Sequence, residues 1–205
     1  MLRLELATLS IRTGTAAGAL QGIERYMARY TGAGTLAGVW TTEVGVLNQI
    51  LLLRSFAMAE ALFDERARVI ESGEFFGASE QLSGCTFETW APYPFVTPQL
   101  AGTLGAFYEL RVYGIKPGGM RPTLAAWKAA VPARVKLSPI VVAAYALDGA
   151  TPRMLHVCPY ANLADRTRIR GEAIATGGWP PTSGPEWQTI MQSTICVPAK
   201  FSPLR

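Results

Sequence analysis

The sequence predicts an α+β protein: tandem ferredoxin-like βαββαβ modules, over residues 1–97 and 105–205, with antiparallel sheets packed as an α+β barrel. Two observations carry this. Displaced by 104 positions, the 205-residue chain matches itself without a gap, pairing Glu5 with Glu109, Ile11 with Ile115, Gly14 with Gly118, Arg66 with Arg170, Ile70 with Ile174 and Gly73 with Gly177. A gapless register of that length marks two copies of one unit. Each copy also passes through the same succession of hydrophobic periods, close to 2 in strands and 3.6 in helices, in the order βαββαβ.

In the first copy LRLELATLSI alternates as a strand does, and TGTAAGALQGIERYMARYT has helical spacing, with Thr13 or Thr15 placed to cap it. GTLAGVWTTEV and LNQILLLRSF read as two strands joined by a tight hairpin, where Gly45 permits a positive φ. AMAEALFDERARVIESGEFF is a second helix stopped at Gly73, and SGCTFETW closes the copy as a fourth strand. The second copy repeats the series with FYELRVYGI, GGMRPTLAAWKAAV, LSPIVVAAYALDG, TPRMLHVCPY, ANLADRTRIRGEAIAT and STICVPAKF. Such a copy carries both helices on one face of its sheet and leaves the other face apolar and uncovered. Two sheets packed face to face cover each other. The connecting segment APYPFVTPQLAGTLG, with three prolines and two glycines, is long enough to let one chain supply both. The same arithmetic permits pairing between subunits, so a homo-oligomer, a dimer, is also expected.

Composition narrows the function classes. With 49% hydrophobic and 17% charged residues the chain is a well-buried globular protein. The net charge of +4 is spread over scattered Lys and Arg with no run of five like charges, which predicts no nucleic-acid partner. Cys85, Cys158 and Cys196 are far apart and lack C-x-x-C spacing, so they read as small buried residues of a reducing compartment, and no metal is expected. The first 30 residues hold Arg3, Glu5 and Arg12 without an apolar signal region, and no apolar run is long enough for a membrane span. A cytoplasmic location is therefore expected.

YELRVYGIKPGGM at the start of the second copy, GVWTTEVGVLNQI, FETWAPYPF, PYANLADRTRIR and the C-terminal PEWQTIMQSTICVPAKFSPLR together resemble the NIPSNAP family. That resemblance implies membership of the dimeric α+β barrel superfamily. It implies a tandem protein related to eukaryotic members associated with mitochondria and vesicle handling. The wider superfamily includes cofactor-free monooxygenases, isomerases, stress-responsive barrels and haem-binding proteins, so the fold alone does not fix a reaction. The chain departs from the pattern in its third strand, where the family often carries His and Trp but QILLLRSF carries Leu51, Leu52 and Arg54.

Six residues are candidates for binding. His156 is the only histidine, so every mechanism with a histidine base runs through it; the alternative is a satisfied histidine facing a cavity. Glu109, Arg111 and Tyr113 share one face of their strand, opposite Tyr108, Leu110 and Val112. They form either a polar pocket able to orient a carbonyl or carboxylate, or an ion pair that satisfies charge at the sheet packing. Trp40 and Glu43 could flank a cleft mouth as a ligand platform, or serve as core and turn residues. GAGTLAG, Gly32 to Gly38, is a helix stop and turn rather than a dinucleotide fingerprint, because a helix precedes it and a strand follows. WPPTSGPEW, Trp179 to Trp187, is a Pro-rich loop leading into a short helix with Ser183 as a plausible cap. With no nucleophile, carboxylate pair or cofactor signature, the sequence favours a non-catalytic protein that binds a small apolar molecule or a protein partner. A cofactor-independent monooxygenase or isomerase, with Glu109, Arg111, Tyr113 and His156 lining its pocket, is the alternative.

Overall fold

In the computed structural model, which describes residues 1–30, 32, 34–182 and 184–205, eight strands and four helices follow one another as two βαββαβ runs. The first run is β1 (Arg3–Ile11), α1 (Ala16–Arg29), β2 (Thr35–Val44), β3 (Gln49–Phe56), α2 (Ala59–Ser72) and β4 (Leu82–Pro92). The second is β5 (Phe107–Ile115), α3 (Met120–Arg134), β6 (Val142–Ala146), β7 (Arg153–Tyr160), α4 (Leu163–Ala175) and β8 (Gln188–Pro198).

The strands form one closed barrel in the order β1-β3-β2-β8-β5-β7-β6-β4. Within each run the order is that of a split ferredoxin-like sheet. The sheets do more than face each other: β2 pairs antiparallel with β8 and β4 with β6, so the exposed edges of one run are hydrogen-bonded to the other. Closure removes the edges that an open sheet must protect. The barrel thus closes within one chain.

Alternation along each strand sorts the side chains into two environments. Leu4, Leu6, Leu51, Leu53, Trp90, Tyr108, Leu110, Leu155 and Val157 fill the interior as one apolar cluster. On the outside α1 and α2 bury Ala19, Ile23 and Val69 against Leu9, Ile50 and Leu52, and α3 and α4 bury Trp127, Val131 and Ile169 against Tyr113, Ile115 and Met154. The C-terminal residues finish the closure. The Ser202 hydroxyl accepts from Val39 N at 3.0 Å and donates to Leu204 O at 2.6 Å, while Leu204 N bonds Ala37 O at 3.0 Å.

Several local expectations need adjustment. Gly45 (φ 123°) and Gly73 (φ 67°) hold the left-handed conformations predicted for the hairpin and the helix stop. Thr15 is the N-cap of α1, but its hydroxyl donates back to Arg12 O at 2.7 Å and accepts nothing from the helix. The predicted strand over 137–149 shortens to Val142–Ala146, because Leu137 still bonds back to Arg134 O and Pro139 has no N–H to give. The connecting segment, through Tyr93 N and Gln99 N, bonds the carbonyls of Ala143 and Val141. Of GAGTLAG, Thr35–Gly38 already belongs to β2 rather than to a turn, and Ala33 lies outside the described residues. Ser183, the expected cap, also lies outside them.

Candidate functional site

The pairing of β5 with β7 sets Glu109 opposite Cys158, Arg111 opposite His156 and Tyr113 opposite Met154. Directly opposed residues in an antiparallel pair share a face, so both strands present these side chains outward, toward α3 and α4. The helices and the segment after α4 stand off from this face and leave a cavity of about 320 Å³. Glu109, Arg111, Tyr113 and His156, four of the six candidates, line it. Trp127 and Arg134 enter from α3, seven residues apart and hence on one helical face, while Arg170 and Ile174 enter from α4. Trp179, Pro180, Pro181 and Pro185 form an apolar wall, and Ile174 and Met191 stand solvent-exposed at the rim.

The polar side of the cavity is held by arginines. Glu109 Oε1 accepts from Arg111 Nη1 at 3.1 Å, from Arg166 Nη2 at 2.6 Å and from the Ser193 hydroxyl at 2.6 Å. Its Oε2 is buried without a hydrogen bond, 4.0 Å from Arg170 Nη1. Burial alone would raise this carboxyl, but the hydrogen bonds from Arg166 and Ser193 and the Arg111 charge outweigh it and hold the group at about 2. Arg111 Nε donates to the Tyr113 hydroxyl as well. The ion-pair reading and the pocket reading of Glu109, Arg111 and Tyr113 therefore coincide: the pair is made, and it forms part of the cavity wall.

His156 is only 4% exposed and sits edge-on to Trp127 (ring centroids 5.0 Å apart), Tyr113 (5.4 Å) and Trp179 (6.3 Å). Its Nδ1 has no partner among the described residues. Burial, then the charges of Arg111, Arg134 and Arg170, push its pKa from 6.5 down to about 3 against a weaker opposing pull from Glu109. The imidazole is neutral at physiological pH. Arg134, also 4% exposed, donates from Nη1 to Ser138 O and Oγ, each at 2.9 Å, and from Nη2 to the Tyr160 hydroxyl at 3.5 Å and to Cys158 Sγ at 3.9 Å.

The remaining two candidates lie elsewhere. Trp40 is fully buried inside the barrel against Tyr108, with ring centroids 5.3 Å apart, because its position in β2 points inward. Glu43 is exposed near the outer end of β2. Sequence reasoning missed Trp127, Arg134, Arg170 and Trp179. The signal was available in the repeat: at the 104-residue offset Trp127 stands against Ile23, Arg134 against Tyr30, His156 against Leu52 and Trp179 against Phe75. Positions that stand between helix and sheet but change chemistry from one copy to the other mark the divergence.

In the first run the corresponding space is filled. Phe76 is fully buried there, and the Arg54 guanidinium lies over its ring at 4.6 Å. Arg54 binds Glu5 and also Glu65 Oε1 at 3.1 Å, while Arg66 Nε donates to Glu5 Oε2 at 2.9 Å. Glu5 has no arginine two residues on, as Glu109 has, and draws its partners from β3 and α2 instead. Two larger openings lack comparable walls. One of about 570 Å³ lies between α1 and residues 74–81, and one of about 420 Å³ lies at a barrel mouth beside the Glu88–Arg153 ion pair. Among the described residues no group of three or more His, Cys, Asp or Glu is arranged to hold a metal ion. No helix among them is long and apolar enough to cross a membrane.

The NIPSNAP family model matches residues 4–85 and 108–203, one segment in each run. The chain belongs to the NIPSNAP family. A NipSnap homolog of Dictyostelium discoideum is 27% identical over 178 residues, covering 80% of this chain and 75% of that protein. Among solved structures, a proposed monooxygenase from Lactobacillus acidophilus NCFM superposes with a TM-score of 0.70 at 12% identity, over 96% of this chain and 93% of its own. An anthrone oxidase-like protein superposes with a TM-score of 0.61 at 14% identity, over 97% and 91%. At these identities the two structures establish the α+β barrel for this NIPSNAP chain, and their activities do not transfer with it.

Proposed function

We propose that this NIPSNAP protein is a non-catalytic binding protein whose second run holds a small, largely apolar molecule in the cavity between β5, β7, α3 and α4. The observation that carries the reading is the contrast between the runs. One sheet face is occupied by the buried Phe76 and Arg54, while the equivalent face keeps a cavity of about 320 Å³ walled by Trp127, Trp179 and three prolines. That volume falls at the lower end of the ~300–1,000 Å³ usual for small-molecule sites and suits a ligand of one or two rings. Glu109, Arg111, Tyr113 and His156 are the polar residues we assign to it; Trp40 and Glu43 are not included.

The protonation states of His156 and Glu109 in the cavity wall favour binding over catalysis. A general base works best with a pKa close to the operating pH, whereas His156 is pushed to about 3 and Glu109 is held at about 2 by its arginines. Burial raises the Tyr113 hydroxyl instead. The monooxygenase or isomerase alternative has fold-level support; oxygen uptake with a panel of phenols would revive it. A dimer is also part of the proposal. Residues 188–194 of β8 pair with β5 but not with β2, and Ile190 on that free stretch is 71% exposed, a surface a second copy would cover. The cytoplasmic setting rests on three free cysteines, two of them buried.

Native mass spectrometry of the purified protein, with gentle desolvation, tests the binding reading. A co-purified molecule that is retained by wild type and lost from Trp179→Ala is the expected result. Absence of any adduct, together with unchanged tryptophan fluorescence on adding one- and two-ring compounds, would overturn it.

A further inference from the structure

The charges around the cavity do not balance. Glu109 is the one carboxylate among the described residues of its wall, and Arg111, Arg166 and Arg170 already share it. Arg134 has no carboxylate partner among the described residues; all its acceptors, Ser138, Tyr160 and Cys158, are neutral. A guanidinium stays charged at any relevant pH, and a buried charge without a counterion is costly even when its N–H groups are hydrogen-bonded. On the wall of the same cavity the Trp127 indole N–H is buried with no acceptor among the described residues. At the 104-residue offset Arg134 replaces Tyr30, so this unpaired cation belongs to the run that keeps the cavity.

These observations fit one ligand class. A carboxylate carries the single negative charge that Arg134 lacks, is planar, and can accept from a guanidinium and from the Trp127 N–H. A phosphate dianion would bring more charge and more acceptors than this largely apolar cavity answers. We propose that the cavity binds a small aromatic carboxylate, its anion at Arg134 and Trp127 and its ring against the wall of Ile140, Trp179 and Pro181. The proposal rests on the reading of the cavity as a ligand site and adds the charge of what it takes.

Isothermal titration of the full chain with 2-naphthoate and with its neutral isostere 2-naphthamide separates the two ideas. Naphthoate is expected to bind about tenfold or more tightly than the amide, the discrimination of a charge-assisted contact. That preference is expected to disappear in Arg134→Met and to persist in weakened form in Arg134→Lys. Equal or tighter binding of the amide to wild type would overturn the carboxylate inference while leaving an apolar binding site. An undiminished preference in Arg134→Met would also overturn it, by removing the assigned counterion. Binding of neither compound would sink both the inference and the ligand-site reading. If Arg134→Met does not fold, the wild-type comparison and Arg134→Lys still decide.

Discussion

His156 is an ionisable side chain that burial moves far from its ordinary titration. Its pKa of about 3 lies below the ordinary 6.5, so the unfolded chain binds this proton more readily than the folded one. The stabilisation is therefore complete above pH 6.5 and is lost as pH falls from there toward 3. Glu109, depressed from 4.5 to about 2, adds a loss of the same sign only below 4.5. Stability measured by denaturant titration should decline between pH 6.5 and 4.5 with a limiting slope of about 1.4 kcal/mol per pH unit, one proton's worth. His156→Gln should flatten that interval and leave the steeper fall below it. An unchanged slope in the variant would mean that His156 is accessible and titrates normally. Burial is the first cause of the shift, and the charges that add to it, Arg111, Arg134 and Arg170, come from a strand and two helices, which is why no single stretch of sequence announces it.

At the scale of elements, the helix starts differ in a way that residue type alone does not predict. Asn162 caps α4, its side-chain oxygen accepting from Asp165 N at 2.8 Å, whereas the Thr15 hydroxyl at the start of α1 turns back to Arg12. Losing a working cap costs about 1 kcal/mol. Asn162→Ala should therefore lower stability by about that much, and Thr15→Ala by clearly less, in paired thermal melts; equal losses would contradict the geometry. The strands were readable with more success. The alternation of β5 placed Glu109, Arg111 and Tyr113 on one face, and the separate alternation of β7 placed His156, but the one-to-one register that sets Arg111 against His156 arises only when the strands pair. Trp40 shows the converse. Its strand and face are legible, yet whether that face is a cleft mouth or a barrel interior depends on β8 and β5, over 60 residues away.

The whole molecule is a barrel neither run can make alone. Its interior cluster draws Leu4, Leu6, Leu51 and Leu53 from one run and Tyr108, Leu110, Leu155 and Val157 from the other. Asp148, between β6 and β7, accepts from Thr89 N at 2.8 Å and from Arg66 Nη1 at 3.3 Å, tying the halves together beyond the strand pairing. We propose that residues 1–97 and 105–205 are units of duplication and not of independent folding. Expressed separately, each half should lack a cooperative melt, and mixing should restore one together with the near-ultraviolet signal of the buried tryptophans. A cooperative transition in either half alone would refute this.

The sequence by itself determined the element order, the duplication, the family resemblance and the face on which four of the six candidate residues stand, because hydrophobic period and repeat register are local properties of the chain. Tertiary structure decided the rest. Closure of the barrel through β2–β8 and β4–β6 turned Trp40 into core. The packing of α3, α4 and the residues Trp179, Pro180, Pro181 and Pro185 left a cavity in one run where Phe76 and Arg54 occupy the other. Only that packing also shows Arg134 buried without a counterion among the described residues, since whether a charge is paired depends on what surrounds it in space.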